Sequence, residues 1–101
     1  MNTFHLDIIT PERKAFSEQV NEVLVPTPGG VIGVLANHEP LFTSLSEGEV
    51  KITSGSKEFY LAIGGGFMEV RPDGVITILV ARAAHASELN ENELKKALES
   101  A

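Results

Sequence analysis

The sequence predicts a mostly β chain, a sandwich or flattened barrel of short strands followed by one short α-helix. Three observations predict it. Short apolar segments recur, with turn residues between them roughly every eight to twelve positions. Phe4, Leu6 and Ile8 alternate with His5 and Asp7, the period-two pattern of a strand with one wet face. Finally, no β-branched residue follows Val80, and alanine and glutamate take over from there.

Each element can be justified in turn. After the first strand, Thr10-Pro11-Glu12-Arg13 reads as a turn, because proline fixes φ and removes a ladder donor. A strand around Phe16 to Val20 leads into Val23-Leu24-Val25, which the pattern stops at Pro26. Thr27-Pro28-Gly29-Gly30 is a strong turn signal. Val31 to Leu35 is an apolar strand in which Gly33 marks a bulge or a close approach. Leu41 to Leu45 and Val50 to Thr53 read as two strands joined by Ser46-Glu47-Gly48-Glu49. Val50 to Thr53 and Phe59 to Ile63 flank Ser54-Gly55-Ser56-Lys57, a glycine-containing hairpin loop. Phe67 to Val70 and Val75 to Leu79 flank Arg71-Pro72-Asp73-Gly74, a second hairpin with a Pro-Asp-Gly turn. The total is about nine or ten short strands, the number a sandwich or barrel needs.

The C-terminal stretch is of another kind. Leu89-Asn90-Glu91-Asn92-Glu93-Leu94 has the form of a helix start. Asn90 is placed to cap, Glu93 to reach back to the cap, and Leu89 to staple onto Leu94. Only Leu94, Ala97 and Leu98 form an apolar stripe, so the helix needs something to pack against. The expected organisation is a β-sandwich domain over 1–86 and a short helix over 87–101.

Whole-chain properties exclude several functions. At 101 residues the chain holds one core. A net charge of −6 argues against a nucleic-acid partner, which requires a basic footprint. There is no cysteine, hence no disulfide and no thiolate chemistry. No basic stretch leads into an apolar run near the N-terminus, and Val75 to Ala81 is far too short to span a bilayer.

Catalytic patterns are missing as well. No phosphate-binding P-loop occurs. Gly64-Gly65-Gly66 is followed by a strand pattern rather than a helix, so it reads as a place of close backbone passage. His5, His38 and His85 lack metal-ligand spacing, so no metal or cofactor is expected. His38 and Glu39 are adjacent, but neighbours in an extended chain face opposite ways, and no nucleophile elbow accompanies them. A small-ligand enzyme built on that pair is therefore the weaker reading, and a binding module the stronger. The segment from Gly29 to Leu45 is long, apolar and rich in bends. It is either a buried strand pair or an apolar tip around Val31 and Ile32 offered to a partner. Asn37 tolerates positive φ within it.

Several segments together resemble the epsilon subunit of F-type ATP synthases. Phe4-His5-Leu6-Asp7-Ile8-Ile9-Thr10-Pro11-Glu12 is similar to that family's opening strand and turn, and Phe16-Ser17 with Val20 to its next strand. Gly33-Val34-Leu35-Ala36-Asn37-His38-Glu39-Pro40-Leu41 resembles its G-[IV]-[LY]-P-G-H-x-P-L signature. Gly65-Gly66-Phe67-Met68-Glu69-Val70-Arg71-Pro72 resembles its G-G-[FI]-[LM]-E-V-x-P signature. The similarity stays in register from Phe4 to about Ala86.

The resemblance implies a β-sandwich of about ten strands at the foot of a rotating central stalk. It would be non-catalytic, bound to the gamma subunit and to the membrane ring of c subunits, and monomeric when isolated. It would couple proton translocation to ATP synthesis at the cytoplasmic face of a bacterial plasma membrane, touching the membrane only through the ring. By position, Gly29, Gly30, Val31, Ile32 and Gly33 would face the c-ring, and Thr10, His38 and Thr43 the gamma subunit. A free-standing β-sandwich adaptor with an unrelated partner is the alternative.

Departures from the family pattern carry their own expectations. Val31 stands where many relatives have an acidic residue, so a charged contact becomes an apolar, less salt-sensitive one. Relatives continue into a two-helix hairpin that inhibits ATP hydrolysis, and in some an I/L-D-x-x-R-A stretch binds ATP. Here Asn90 and Glu93 take the aspartate and arginine positions, placing a carboxylate where a phosphate would lie. A short form is expected, lacking most of the hairpin, ATP binding and hairpin-type inhibition.

Overall fold

The computed structural model describes residues 2–85. Eight strands run in order: β1 Phe4–Ile9, β2 Lys14–Val20, β3 Glu22–Thr27, β4 Gly30–Leu35, β5 Leu41–Ser54, β6 Lys57–Val70, β7 Ile76–Val80 and β8 Ala83–His85. The predicted mostly β sandwich is found. The helix expected over 87–101 lies outside the described residues.

The strand count differs from the sequence reading for one reason. The segments read as two strands on either side of Ser46-Glu47-Gly48-Glu49 form the single 14-residue β5. Likewise β6 runs unbroken through Gly64-Gly65-Gly66. The two stay paired antiparallel from Leu41↔Val70 to Ser54↔Lys57, through Glu47↔Gly64 and Gly48↔Ile63. Glycines on both strands let the ladder coil without breaking, so the chain bends where the sequence suggested a turn.

That long hairpin belongs to two layers. The half of β6 from Gly66 to Val70 pairs β7, which pairs β1 in parallel, and β1 pairs β2. The other half pairs β8 through Leu61, Ala62 and Ile63, while Lys51 to Thr53 of β5 pair β3, which pairs β4. Layer A is thus β2-β1-β7-β6-β5 and layer B is β8-β6-β5-β3-β4, joined through the shared hairpin. Each long strand counts once in each layer, which accounts for the larger number read from the sequence.

The core lies between the layers. Leu6, Ile8, Met68, Ile76 and Ile78 come from layer A; Val23, Val25, Val34, Val50, Ile52 and Leu61 come from layer B, and all are buried. Burying a side chain of this size contributes about 1.5–3 kcal/mol. The layers are tied at one margin, where the rings of Phe16 and Phe59 meet edge-on with centroids 5.5 Å apart. Beside them the His85 Nε2–H donates to the Ala15 carbonyl at 2.6 Å.

Local sequence explains most of the joints. Pro26 lies inside β3, not beyond it. It follows Leu24, the last residue paired to β5, at a margin where proline is tolerated. Asn37 adopts φ 66°, as its side chain permits. Gly33 marks a close approach, since a Cβ there would stand 2.9 Å from Leu24 Cδ2. β8 has no counterpart in the sequence reading, because alanine-rich segments carry little strand signal.

Candidate docking surfaces

The outer face of layer A is built by alternation. Leu6 and Ile8 of β1, Ile76 and Ile78 of β7 and Met68 and Val70 of β6 point inward, so their neighbours point out. Register then sets two outward rows. One runs from Ser44 through Phe67 and Leu79 to Ile9. The other runs from Phe42 through Glu69, Thr77 and Asp7 to Ser17. Phe42 and Phe67 are diagonal neighbours across the ladder, and their rings stack at 5.7 Å between centroids. Phe42 is 67% exposed, and Phe67 and Leu79 are each 50% exposed. Such a patch is unfavourable in water and is the usual mark of a docking surface.

An open apolar groove of about 480 Å3 continues the row, lined by Ile9, Pro11, Phe67, Leu79 and Ala81 with Gly65 and Gly66 among its other walls. Gly66 is required there, since a Cβ would strike the Leu79 carbonyl oxygen and stand 2.9 Å from Val80 Cα. Thr10 closes the groove at the β1–β2 turn. Its amide donates to the Arg13 carbonyl at 2.8 Å, and its hydroxyl accepts from the amides of Arg13 and Glu12 at 3.1 and 3.3 Å.

The residues that the sequence assigned to a gamma-type partner do not converge. Thr10 lies beside the groove. His38 belongs to the connection that enters β5 at Leu41, opposite Val70, where its Nδ1–H donates to the Glu39 carbonyl at 2.7 Å. Thr43 is half-buried and shares the inward parity of Leu45, with Met68 opposite. Sequence reasoning missed Phe42, Phe67, Leu79 and Ile9 as surface residues. The alternation in Leu41-Phe42-Thr43-Ser44-Leu45 held the signal for Phe42, because two leucines at even spacing define the buried side.

The second candidate surface is the β3–β4 hairpin. Thr27 pairs with Gly30 across Pro28-Gly29, and Val31 just beyond the turn is 70% exposed. Gly29, Gly30 and Gly33 are exposed, whereas Ile32 turns inward and packs against the core. The segment from Gly29 to Leu45 is thus neither wholly buried nor wholly offered. Val34 is core, while Val31 and the 57% exposed Leu35 face out.

One polar cluster resembles a catalytic set. His5 Nε2 lies 2.9 Å from Asp7 Oδ1 and 3.2 Å from Ser17 Oγ. Both contacts use the same ring nitrogen, so the imidazole cannot take a proton from Ser17 while Asp7 holds its other nitrogen, as acyl-transfer triads require. The cluster is electrostatic. The Ser17 hydroxyl, helped by His5 and Lys14 and opposed by partial burial, holds the Asp7 carboxyl below its usual range. Among the described residues, no three His, Asp or Glu side chains gather as metal ligands, and no helix is long and apolar enough to cross a membrane.

Against known proteins, the model of the ATP synthase delta/epsilon chain β-sandwich domain matches residues 3–86. The chain belongs to the ATP synthase delta/epsilon family. Among curated relatives, the epsilon chain of Pelotomaculum thermopropionicum is 46% identical over 88 residues, covering 87% of this chain and 65% of the relative. The epsilon chain of Dehalococcoides mccartyi (strain CBDB1) is 43% identical over 90 residues, 89% of this chain and 64% of its own. That of Anaeromyxobacter sp. (strain K) is 42% identical over 96 residues, 95% and 72%. The chain therefore spans somewhat under two-thirds of the length of the first two of these epsilon chains. A similar fold occurs in a chain of the cryo-EM structure of the Euglena gracilis mitochondrial ATP synthase, OSCP/F1/c-ring, in rotational state 1. It superposes with a TM-score of 0.83 at 30% identity, over 96% of this chain and 62% of that one. A chain of the Tetrahymena thermophila mitochondrial ATP synthase central stalk and c-ring shares the fold, with a TM-score of 0.73 at 16% identity over 88% of this chain and 71% of that one.

Proposed function

We propose that this chain is an epsilon-type, non-catalytic rotor subunit in the central stalk of an F-type ATP synthase. It links the gamma subunit to the c-ring and so couples proton translocation to ATP synthesis. The observation that carries the reading is the pair of exposed apolar surfaces on a sandwich whose curated relatives are epsilon chains. The outer face of layer A, with Phe42, Phe67, Leu79 and the Thr10 turn, takes the gamma subunit; His38 enters from the connection before β5, and Thr43 supports Phe42 from the inward side of that strand. The β3–β4 hairpin, Gly29 to Gly33 with Val31 at the front, takes the c-ring.

Each surface suits its task. A rotor contact must transmit torque without slipping, which favours broad apolar packing over isolated ion pairs that salt screens. The Val31 tip is small and apolar, fitting a contact at the margin of a membrane ring. With those partners the chain sits at the cytoplasmic face of a bacterial plasma membrane, held there indirectly, and alone it is a monomer. Asn90 and Glu93 stand where ATP-binding relatives carry aspartate and arginine, so this chain binds no regulatory ATP.

The test is co-purification. The full chain, tagged and added to synthase stripped of its epsilon subunit, should recover both gamma and the c-ring and restore proton-coupled ATP synthesis. Failure to bind either would return the chain to the free-standing adaptor reading. Titration with ATP should show no binding at micromolar concentrations.

A further inference from the structure

The apolar groove on layer A runs on at its Ala81 margin into a second hollow of different chemistry. Thr10 and Ala81 line both, and the smaller hollow, about 170 Å3, adds Glu12, Arg13, Arg82 and Ala83. The fold thus gathers two of the chain's eight basic residues at one end of an apolar surface, in a protein of net charge −6.

Both guanidinium groups are placed by the backbone around them. Arg13 Nη2 donates to the Ala83 carbonyl at 3.1 Å, which ties the β1–β2 turn to the start of β8. The Arg82 carbonyl accepts from the Gly64 amide at 3.1 Å. Its side chain then lies against Gly64, where a Cβ would stand 3.1 Å from Nε. Among the described residues the Arg82 guanidinium has neither an ion pair nor a hydrogen bond, although Glu12 lines the same hollow. Arg71, by contrast, is neutralised by Asp73 at 3.1 Å. Exposed beside the end of an apolar groove and without an anion, Arg82 is available to a carboxylate carried by whatever fills the groove.

We propose that the Arg82 guanidinium binds a carboxylate at the end of the groove. The groove's occupant is an amphipathic helix with an acidic residue at the edge of its apolar stripe. This rests on the gamma-facing reading of layer A and assigns the helix to that subunit. The groove floor excludes an added strand, because β1 and β7 are paired on both sides and β6 lies between β7 and β5. What the face offers is side chains alone, which suits the apolar stripe of a helix. A volume of about 480 Å3 accommodates a few large apolar side chains. The carboxylate then fixes the register of the helix, which apolar contact by itself leaves free.

The test measures binding of the full chain to its cognate gamma subunit across a range of salt concentrations. Arg82→Glu should weaken binding by roughly ten- to hundredfold at low salt and flatten its salt dependence. Arg82→Lys should recover part of the loss, since an ammonium lacks the planar fork. Phe67→Ala should weaken binding at every salt concentration and leave the salt slope unchanged. Unaltered melting of the Arg82 variants separates docking from folding. If Arg82→Glu binds gamma as the parent chain does, with the same salt slope, the carboxylate contact is overturned while the gamma-facing reading stands. If the parent chain itself fails to bind gamma, that reading falls and the assignment of the helix falls with it.

Discussion

The Phe42 ring stacks on Phe67 with the planes 25° apart, on the solvent side of a fully paired sheet. Neither ring contributes to the core between the layers. Two stacked aromatics held out in water stabilise the fold little and are positioned to contribute to association.

Phe42→Ala and Phe67→Ala should therefore each cost only about 0.5–1 kcal/mol in urea denaturation. Their effect on affinity for the gamma subunit should be larger, about tenfold or more for each. Equal losses in stability and affinity would mean that the pair is structural.

Gly66→Ala should have the opposite signature. The added methyl meets the Leu79 carbonyl and the Val80 backbone in the β6–β7 ladder, so a strand must shift. Destabilisation of about 3 kcal/mol is expected from this overpacking and the disturbed ladder. Thermal melting of the isolated chain measures it. A melting temperature within a degree or two of the parent would show that the ladder yields freely.

Val31→Glu places a charge on an exposed hairpin tip that makes no core contact. Stability should stay within about 0.5 kcal/mol of the parent. Retention on detergent-solubilised c-ring should become salt-dependent where the parent's is not. Identical retention of both chains at low and high salt would separate this tip from the ring.

The Asp7 cluster predicts a pH dependence. The folded carboxyl is held below its unfolded value, chiefly by the Ser17 hydroxyl and then by His5 and Lys14. The stability it contributes is present above the unfolded carboxylate range and is lost as pH falls through the folded value. Urea midpoints between pH 6 and pH 3 should fall more steeply for the parent than for Asp7→Asn. Parallel profiles would remove Asp7 from the acid response.

The sequence alone determined the β class, the position of most strands, the turns at Thr10-Pro11 and Pro72-Asp73-Gly74, the positive φ at Asn37 and the family. All of these are written in local chemistry: period-two alternation, proline and glycine at joints, and motifs kept in order. Tertiary structure decided what depends on partners distant in the chain. Whether Gly48 and Gly64 to Gly66 end strands or bend them depends on the ladder between β5 and β6, which no local window contains. Alanine-rich β8 is a strand only because Leu61 to Ile63 supply its ladder. The outward apolar row of Phe67, Leu79 and Ile9 exists because β1 lies parallel to β7 beside β6. Each strand turns one apolar residue outward, half-buried in the case of Ile9, which is ordinary, and register alone joins them into a surface. The meeting of Arg13 with Arg82 has the same cause, since two arginines far apart in the chain become neighbours only when the β1–β2 turn closes over the end of β7.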